Sequence, residues 1–217
     1  MPKLKIPKSA PSLDMTPMVD LGFLLVTFFI LTAKFRPNEP VVVQVPAATS
    51  EILLPEKVMQ ITVDEKGRVY FDLTGKEIRR EMLQLMMQRY PQYKFTEEQA
   101  KKFEVMGMMG MPLGNLAQYL DGDEKERKSY DDQTLGIPLD SLNNELADWV
   151  MSGYEAFMAD AERKGISREQ LRGDDGLRYA IKADGATDYE KVEDVIDVFR
   201  EKQIFQFNMV TSLKSAN

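Results

Sequence analysis

The chain contains no cysteine and no histidine. Without cysteine there is no disulfide, no thiol nucleophile and no thiolate metal site. Without histidine a Ser-His-Asp triad, a Cys-His pair and an imidazole-ligated zinc are excluded as well. Carboxylate chemistry remains possible in principle, but an enzyme is not expected. A cysteine-free composition suits a periplasm, where a stray thiol would be oxidised, although many cytosolic proteins share it. Net positive charge is missing too: 28 Lys and Arg stand against 35 Asp and Glu, a formal net charge of −7 over 217 residues. With no basic, aromatic-interleaved patch, nucleic acid is not an expected partner.

Long apolar runs are equally scarce, and the chain has one. Met15 to Ala33 reads MTPMVDLGFLLVTFFILTA, with Asp20 as its only ionisable residue. As a helix this stretch is about 28 Å long, close to the thickness of a bilayer core. Lys34 and Arg36 follow it and suit the far interface. Thr16-Pro17 is a helix start, Thr16 at the N-cap and Pro17 at the first helical position. An acid held in hydrocarbon points to ion or proton relay. The plainer reading makes Asp20 an acid near a helix N-terminus, complementing the dipole. A buried core helix fits less well, because the segment is apolar on every side. A cleavable signal peptide fits poorly, since Leu31 stands where a small residue is needed. Lys3, Lys5 and Lys8 precede the run and favour a cytoplasmic N-terminus, with the chain beyond Phe35 outside.

After a proline-rich exit, Val41, Val42, Val43 and Val45 form a short β-prone run closed by Pro46. Val58 to Asp64 alternates as a half-buried strand, 64–67 turns, and Arg68 to Leu73 returns, which makes a hairpin. Lys76 to Tyr90 is a helix with Ile78, Met82, Leu85 and Met86 on one face. Toward the C-terminus, Leu177 to Ala183 is a strand. Asp188 caps a helix carrying Tyr189, Val192, Val195, Ile196 and Phe199, and Ile204 to Thr211 is the last strand. The expected fold is a single transmembrane helix plus an α+β periplasmic domain. Its order is β-β-α, helical insert, β-α-β, with helices on one face of a sheet.

Residues 91–176 read as the insert. Thr96–Gln99 and Ser167–Gln170 are capping boxes, and Leu142, Leu146, Trp149, Val150, Phe157 and Met158 form an amphipathic face. The charged stretch Asp121 to Gln133 reads as a solvated loop. Met106, Met108, Met109 and Met111 read as an exposed contact surface packed beside the core, with copper(I) a remote alternative. Asp131-Asp132 and Asp174-Asp175 lack EF-hand spacing, and MGMMGMPLG lacks the ending of a phosphate loop. No metal or organic cofactor is expected.

Three pieces of the sequence resemble the ExbD/TolR family of energy-transducing membrane proteins. The first is LDMTPMVD, Leu13 to Asp20, followed at once by the apolar helix; it is similar to the family's Thr-Pro-x-x-Asp signature. The second is VVVQVPAATS, Val41 to Ser50, similar to the short strand and Pro-Ala-rich segment just outside the membrane. The third is KADGATDY, Lys182 to Tyr189, which resembles the Ala-Asp…Tyr motif near the end of the periplasmic domain. The resemblance covers 13–90 and 177–213; typical members lack 91–176.

It implies a dimer of this subunit inside a ring of a multi-pass ExbB-like partner, driving a TonB-like protein with protons as the coupling ion. The motif's acid maps onto Asp20, with Thr16 and Pro17 beside it; Thr27, seven residues on, shares its helix face. Val41, Val42, Val43, Val45 and Pro46 become an edge strand, pairing within the dimer or with a partner peptide. The implied organisation is a cytoplasmic tail (1–14), a transmembrane helix (15–35), a linker with the edge strand (36–57), the α+β domain (58–90 and 177–213) and the insert (91–176). The resemblance leaves open TonB-serving, TolR-like and gliding complexes, and proton against sodium.

Overall fold

The computed structural model describes residues 15–32, 47–48, 57–140, 143–171, 176–210 and 212–213. The chain divides into two units, Met1–Arg36 and Pro37–Asn217. The described part of the first is one helix, α1 (Thr16–Thr32), of 17 residues. Its large apolar side chains from Met18 to Leu31 are all exposed, by 55 to 85%. No helix among the described residues is long and apolar enough to cross a membrane. The single span expected over 15–35 is therefore not shown by the described helix.

The second unit is built on a mixed sheet with strand order β3-β2-β4-β5. β2 (Val58–Val63) and β3 (Val69–Leu73) form the expected antiparallel hairpin. Asp64 builds its turn: Oδ1 accepts from the Lys66 and Arg68 amides, and Oδ2 pairs with Arg68 Nε at 2.6 Å. Gly67 sits at φ 74°, where a side chain would be strained. β4 (Arg178–Ala183) lies parallel to β2, so Met59, Ile61 and Val63 share a face with Tyr179, Ile181 and Ala183. α8 (Tyr189–Glu201) crosses over that face and returns the chain to β5 (Asn208–Val210), again parallel. Phe199 meets Tyr179 edge-on at 5.7 Å.

The last strand is shorter than the 204–211 expected. α8 ends at Glu201, Gln203 follows at φ 58°, and residues 204–207 belong to no strand, with Phe205 74% exposed. Tyr189, expected on the apolar face of α8, is exposed, and Val198 takes a buried place instead. Asp188 precedes the helix without making a side-chain cap bond. In α2 (Lys76–Arg89) it is Leu83 rather than Leu85 that is fully buried with Ile78, Met82 and Met86. The apolar arc simply lies one step round the helix from its predicted centre.

The insert does not stand apart from this sheet. Its longest helix, α6 (Glu145–Arg163), packs on α2 and buries Leu146, Trp149, Val150 and Phe157; Met158 is half-buried, and Leu142 lies outside the described residues. Trp149 stacks on Phe103 of α3 (Glu97–Val105) at 6.0 Å and sits 6.3 Å from Phe71 of the sheet. Gly153 allows the close approach: a Cβ there would lie 2.8 Å from Met59 Cε and 3.2 Å from Leu73 Cδ2. Both predicted capping boxes form, Thr96 with Gln99 opening α3 and Ser167 with Gln170 opening α7 (Arg168–Leu171).

Two readings of the insert are corrected. The 121–133 stretch is not a loop: after α4 (Leu113–Asp121), α5 (Glu124–Gln133) starts from a third capping box, Asp123 with Glu126. Its missing apolar face hid it, although the Asp-x-x-Glu spacing marks its start. The methionine segment is not an exposed surface either: Met108, Met109 and Met111 are buried and Met106 half-buried. Met109 pairs with Phe71 as an antiparallel bridge, N–H to carbonyl both ways at 2.7 and 2.9 Å. Gly110 then lies so close to the Tyr70 ring that a Cβ would reach within 2.0 Å.

Candidate functional site

Asp20 is the fifth residue of α1 and is exposed, in the second turn rather than the first. Thr16 and Pro17 begin the helix, with Thr16 already inside it. Proline suits this place because a first-turn amide has no intrahelical acceptor. No other residue of α1 carries a charge. Thr27 lies two turns beyond Asp20 on the same face, being seven residues on. Its hydroxyl donates to the carbonyls of Phe23 and Leu24, both at 3.0 Å, and that of Thr32 to Phe28 at 2.8 Å. In water such back-bonding is a weak alternative to hydration, but on a wholly apolar helix it satisfies a hydroxyl that has no other partner nearby. The result is a rod with an apolar exterior and one acid.

Val41, Val42, Val43, Val45 and Pro46, expected to supply the edge strand, lie outside the described residues. What the structure places there is β1 (Ala47–Ala48), the small residues directly after Pro46. It runs parallel to β6 (Ser212–Leu213), Ala47 opposite Ser212 and Ala48 opposite Leu213. Within its own chain, then, the segment that follows the valines lies against the strand at the C-terminal end.

The far edge of the sheet is closed. The outward backbone groups of β3 belong to Val69, Phe71 and Leu73. Ile137 donates to the Val69 carbonyl at 2.9 Å, Met109 takes both groups of Phe71, and Arg79 Nε donates to the Leu73 carbonyl. Arg79 also pairs with Asp72; its desolvation by burial holds its acidity above that of an ordinary guanidinium. An edge occupied in this way offers no template for another strand.

An open cleft of about 690 Å³ lies between the start of α6 and α8, lined by Tyr90, Asp148, Asp194, Asp197, Glu201 and Lys202 among others. Its acids are largely matched within the chain. Asp148 meets Arg89 at 3.2 Å and the Tyr90 hydroxyl at 2.6 Å, Asp194 meets Lys191, and Asp197 meets Arg200. Burial and that neighbouring carboxylate push the Tyr90 hydroxyl well up from its usual range. Among the described residues no group of acids, His or Cys is arranged to hold a metal ion.

Sequence reasoning passed over Arg79 and Glu145, and weighed Asp131 only as a calcium ligand. Glu145 is 6% exposed, and its Oε2 accepts the Leu113 amide at 2.7 Å, so it caps α4 from the first turn of α6. A carboxylate at a helix N-terminus is the ordinary use of such a group, but a contact 32 residues away leaves no local trace.

The profile of the family described as Biopolymer transport protein ExbD/TolR matches residues 7–214, nearly the whole chain. The chain belongs to the ExbD/TolR family. Members of this family are membrane-associated subunits that work in complexes with ExbB/TolQ-type partners in biopolymer transport. No curated protein and no solved structure matched the chain.

Proposed function

We propose that this ExbD/TolR member is the ion-carrying subunit of an ExbB-ExbD-type inner-membrane complex, using the proton motive force to energise TonB-dependent outer-membrane transport. The observation that supports this most is the acid on the apolar rod. Asp20 is the only charge on a helix whose large side chains are all exposed, and it stands where the family's Thr-Pro-x-x-Asp motif has its acid. A span needs about 20 residues; the proposal takes 15–35 as the transmembrane segment, from the sequence. It sets the N-terminus in the cytoplasm and residues 36–217 in the periplasm.

In the mechanism, an ExbB-like multi-pass ring encloses two copies of α1. Asp20 is neutral when it faces apolar surroundings and ionised where water reaches it, because hydrocarbon penalises the charged form far more than the neutral one. Each passage between the two environments carries a proton. Thr16 and Pro17 hold the start of the helix, and Thr27 lines the same face. The edge strand Val41, Val42, Val43, Val45 and Pro46 couples this motion to a TonB-like protein or to the second copy. The work is done by a titrating side chain and a moving helix, so neither a bound cofactor nor enzymatic turnover is part of the proposal. A TolR-like or gliding-type envelope motor is the alternative; the family description itself names TolR beside ExbD. A membrane-tethered scaffold, with Asp20 as a capping acid only, is the further one.

The test is Asp20→Asn, which keeps size and polarity and removes the titration. In vesicles carrying the complex with its ExbB-like partner, ion flux should fall to background while the complex still assembles. Wild-type flux in that variant would end the relay reading and leave the scaffold.

A further inference from the structure

A polar cluster joins the insert to the start of β3, and the membrane reading makes no use of it. Arg68 leaves the hairpin turn and donates through Nη1 to the Asp131 carbonyl of α5 at 2.8 Å. The Asp131 side chain receives the Tyr119 hydroxyl of α4 on Oδ2 at 3.3 Å. Its other oxygen, Oδ1, is buried and finds no hydrogen-bond partner among the described residues; the same is true of the Tyr70 hydroxyl on β3. Around these groups stand Asp64, paired with Arg68, and Arg127, whose guanidinium lies over the Tyr119 ring at 5.7 Å. Asp132 lies next along α5, and Tyr130 sits edge-on to Tyr119 at 6.3 Å. Directly after this cluster the chain returns to the sheet. The Thr134 hydroxyl donates to the Gly110 carbonyl at 2.7 Å, and the Ile137 amide to the Val69 carbonyl at 2.9 Å.

We propose that this cluster is a proton-operated latch: a neutral Asp131 holds α5 and the return segment 134–137 against β3, and an ionised Asp131 loosens them.

The physical reason is the cost of an ionised carboxylate with one oxygen buried and unpartnered. Burial pushes the Asp131 carboxyl up to about 6, and Asp132 adds to this; the Tyr119 hydroxyl, Arg68 and Arg127 pull the other way without cancelling it. The Tyr70 hydroxyl is pushed up to about 12 by its own burial and stays neutral, so it adds no charge at any relevant pH. A carboxyl that is less acidic when docked than when free takes up a proton on docking. Docking is therefore fully supported below the ordinary carboxylate value of 3.8 and weakens as pH rises from there through about 6. With the latch loosened, the bond from Ile137 opens and the Val69 end of the β3 edge is uncovered. Strand pairing there would become pH-dependent, in a sheet whose other backbone contacts do not titrate.

The test uses hydrogen exchange on the full chain in detergent micelles, followed on peptides covering 134–137 at pH 5 and pH 7.5 and corrected for the intrinsic pH dependence of exchange. Protection should fall by roughly tenfold between the two, because about one unit of the coupled shift lies above pH 5, while peptides from β2 stay unchanged. Asp131→Asn should abolish the pH dependence. Tyr119→Phe removes a donor that favours the ionised form, so the midpoint should move to higher pH even if the Asn variant does not fold. Protection that is independent of pH in the wild-type chain, or a midpoint unmoved by Tyr119→Phe, overturns the latch.

Discussion

α6 turns eleven of its 19 residues into the core, whereas α1, 17 residues long, keeps every large apolar side chain exposed. The sequences anticipate this. α6 is amphipathic and finds its apolar partner within the chain, in Met59, Phe71, Phe103 and the α2 face. α1 is apolar all round, a pattern that suits surroundings apolar on every side. The acids of the two helices differ in the same sense. Glu145 and Asp160 on α6 are buried and partnered, by the Leu113 amide and by Lys164 at 2.8 Å. Asp20 is exposed, on a helix with no other charge. A partnered buried acid has a structural role that is visible in its contacts. An exposed acid that is the only charge on an apolar helix is where function is sought.

Changes at four positions test this contrast. The largest effect is expected at Trp149, the only tryptophan of the chain, which is fully buried. Trp149→Ala removes the stack on Phe103 and the contact with Phe71 and leaves a cavity, at a cost of about 3–5 kcal/mol. Urea unfolding of the full chain should show it as a fall in midpoint. Asp20→Asn should leave the same midpoint unchanged while ion flux is lost. A variant set in which Trp149→Ala spares stability, or Asp20→Asn lowers it, would break the separation between a helix that holds the fold and one that serves something beyond it.

Next comes Glu145→Ala, which leaves the Leu113 amide buried without its acceptor. The expected cost is about 1–3 kcal/mol, read in the same unfolding experiment. Glu145→Gln keeps an acceptor and should recover most of it. If Gln is as damaging as Ala, the charge acting on the α4 N-terminus matters more than the hydrogen bond.

The hairpin, β4, α8 and their order along the chain were legible, because each rests on local periodicity or on a turn residue with one conformational job. The insert was legible only in part. Trp149 and its neighbours announce a buried face, but nothing local says that Met109 adds to a strand 38 positions earlier. Four methionines among glycines look exposed until a sheet edge is placed beside them. α5 was missed because it has no apolar stripe; its stability comes from a capping box and from contacts through Arg127 and Tyr130. Of the proposed relay site, Asp20 stood out in sequence by its isolation. The valine strand was equally visible in sequence, and its residues lie outside those described.

The smallest effect is expected at Thr27, and it sharpens the reading of α1 most finely. Its hydroxyl already donates to Phe23 and Leu24, so its bonding capacity as a donor is used within the helix. Thr27→Val keeps the shape and the β-branch and removes only that hydroxyl. Because the backbone carbonyls it meets also accept the helix's own amides, the loss should cost α1 little, of order 0.5–1.5 kcal/mol at most. Ion flux through the assembled complex should fall no more than a few-fold, against the complete loss at Asp20. A tenfold or larger fall would mean that the hydroxyl leaves its own backbone during the cycle and solvates the Asp20 side of the helix. The relay would then comprise two residues on one face rather than a single acid.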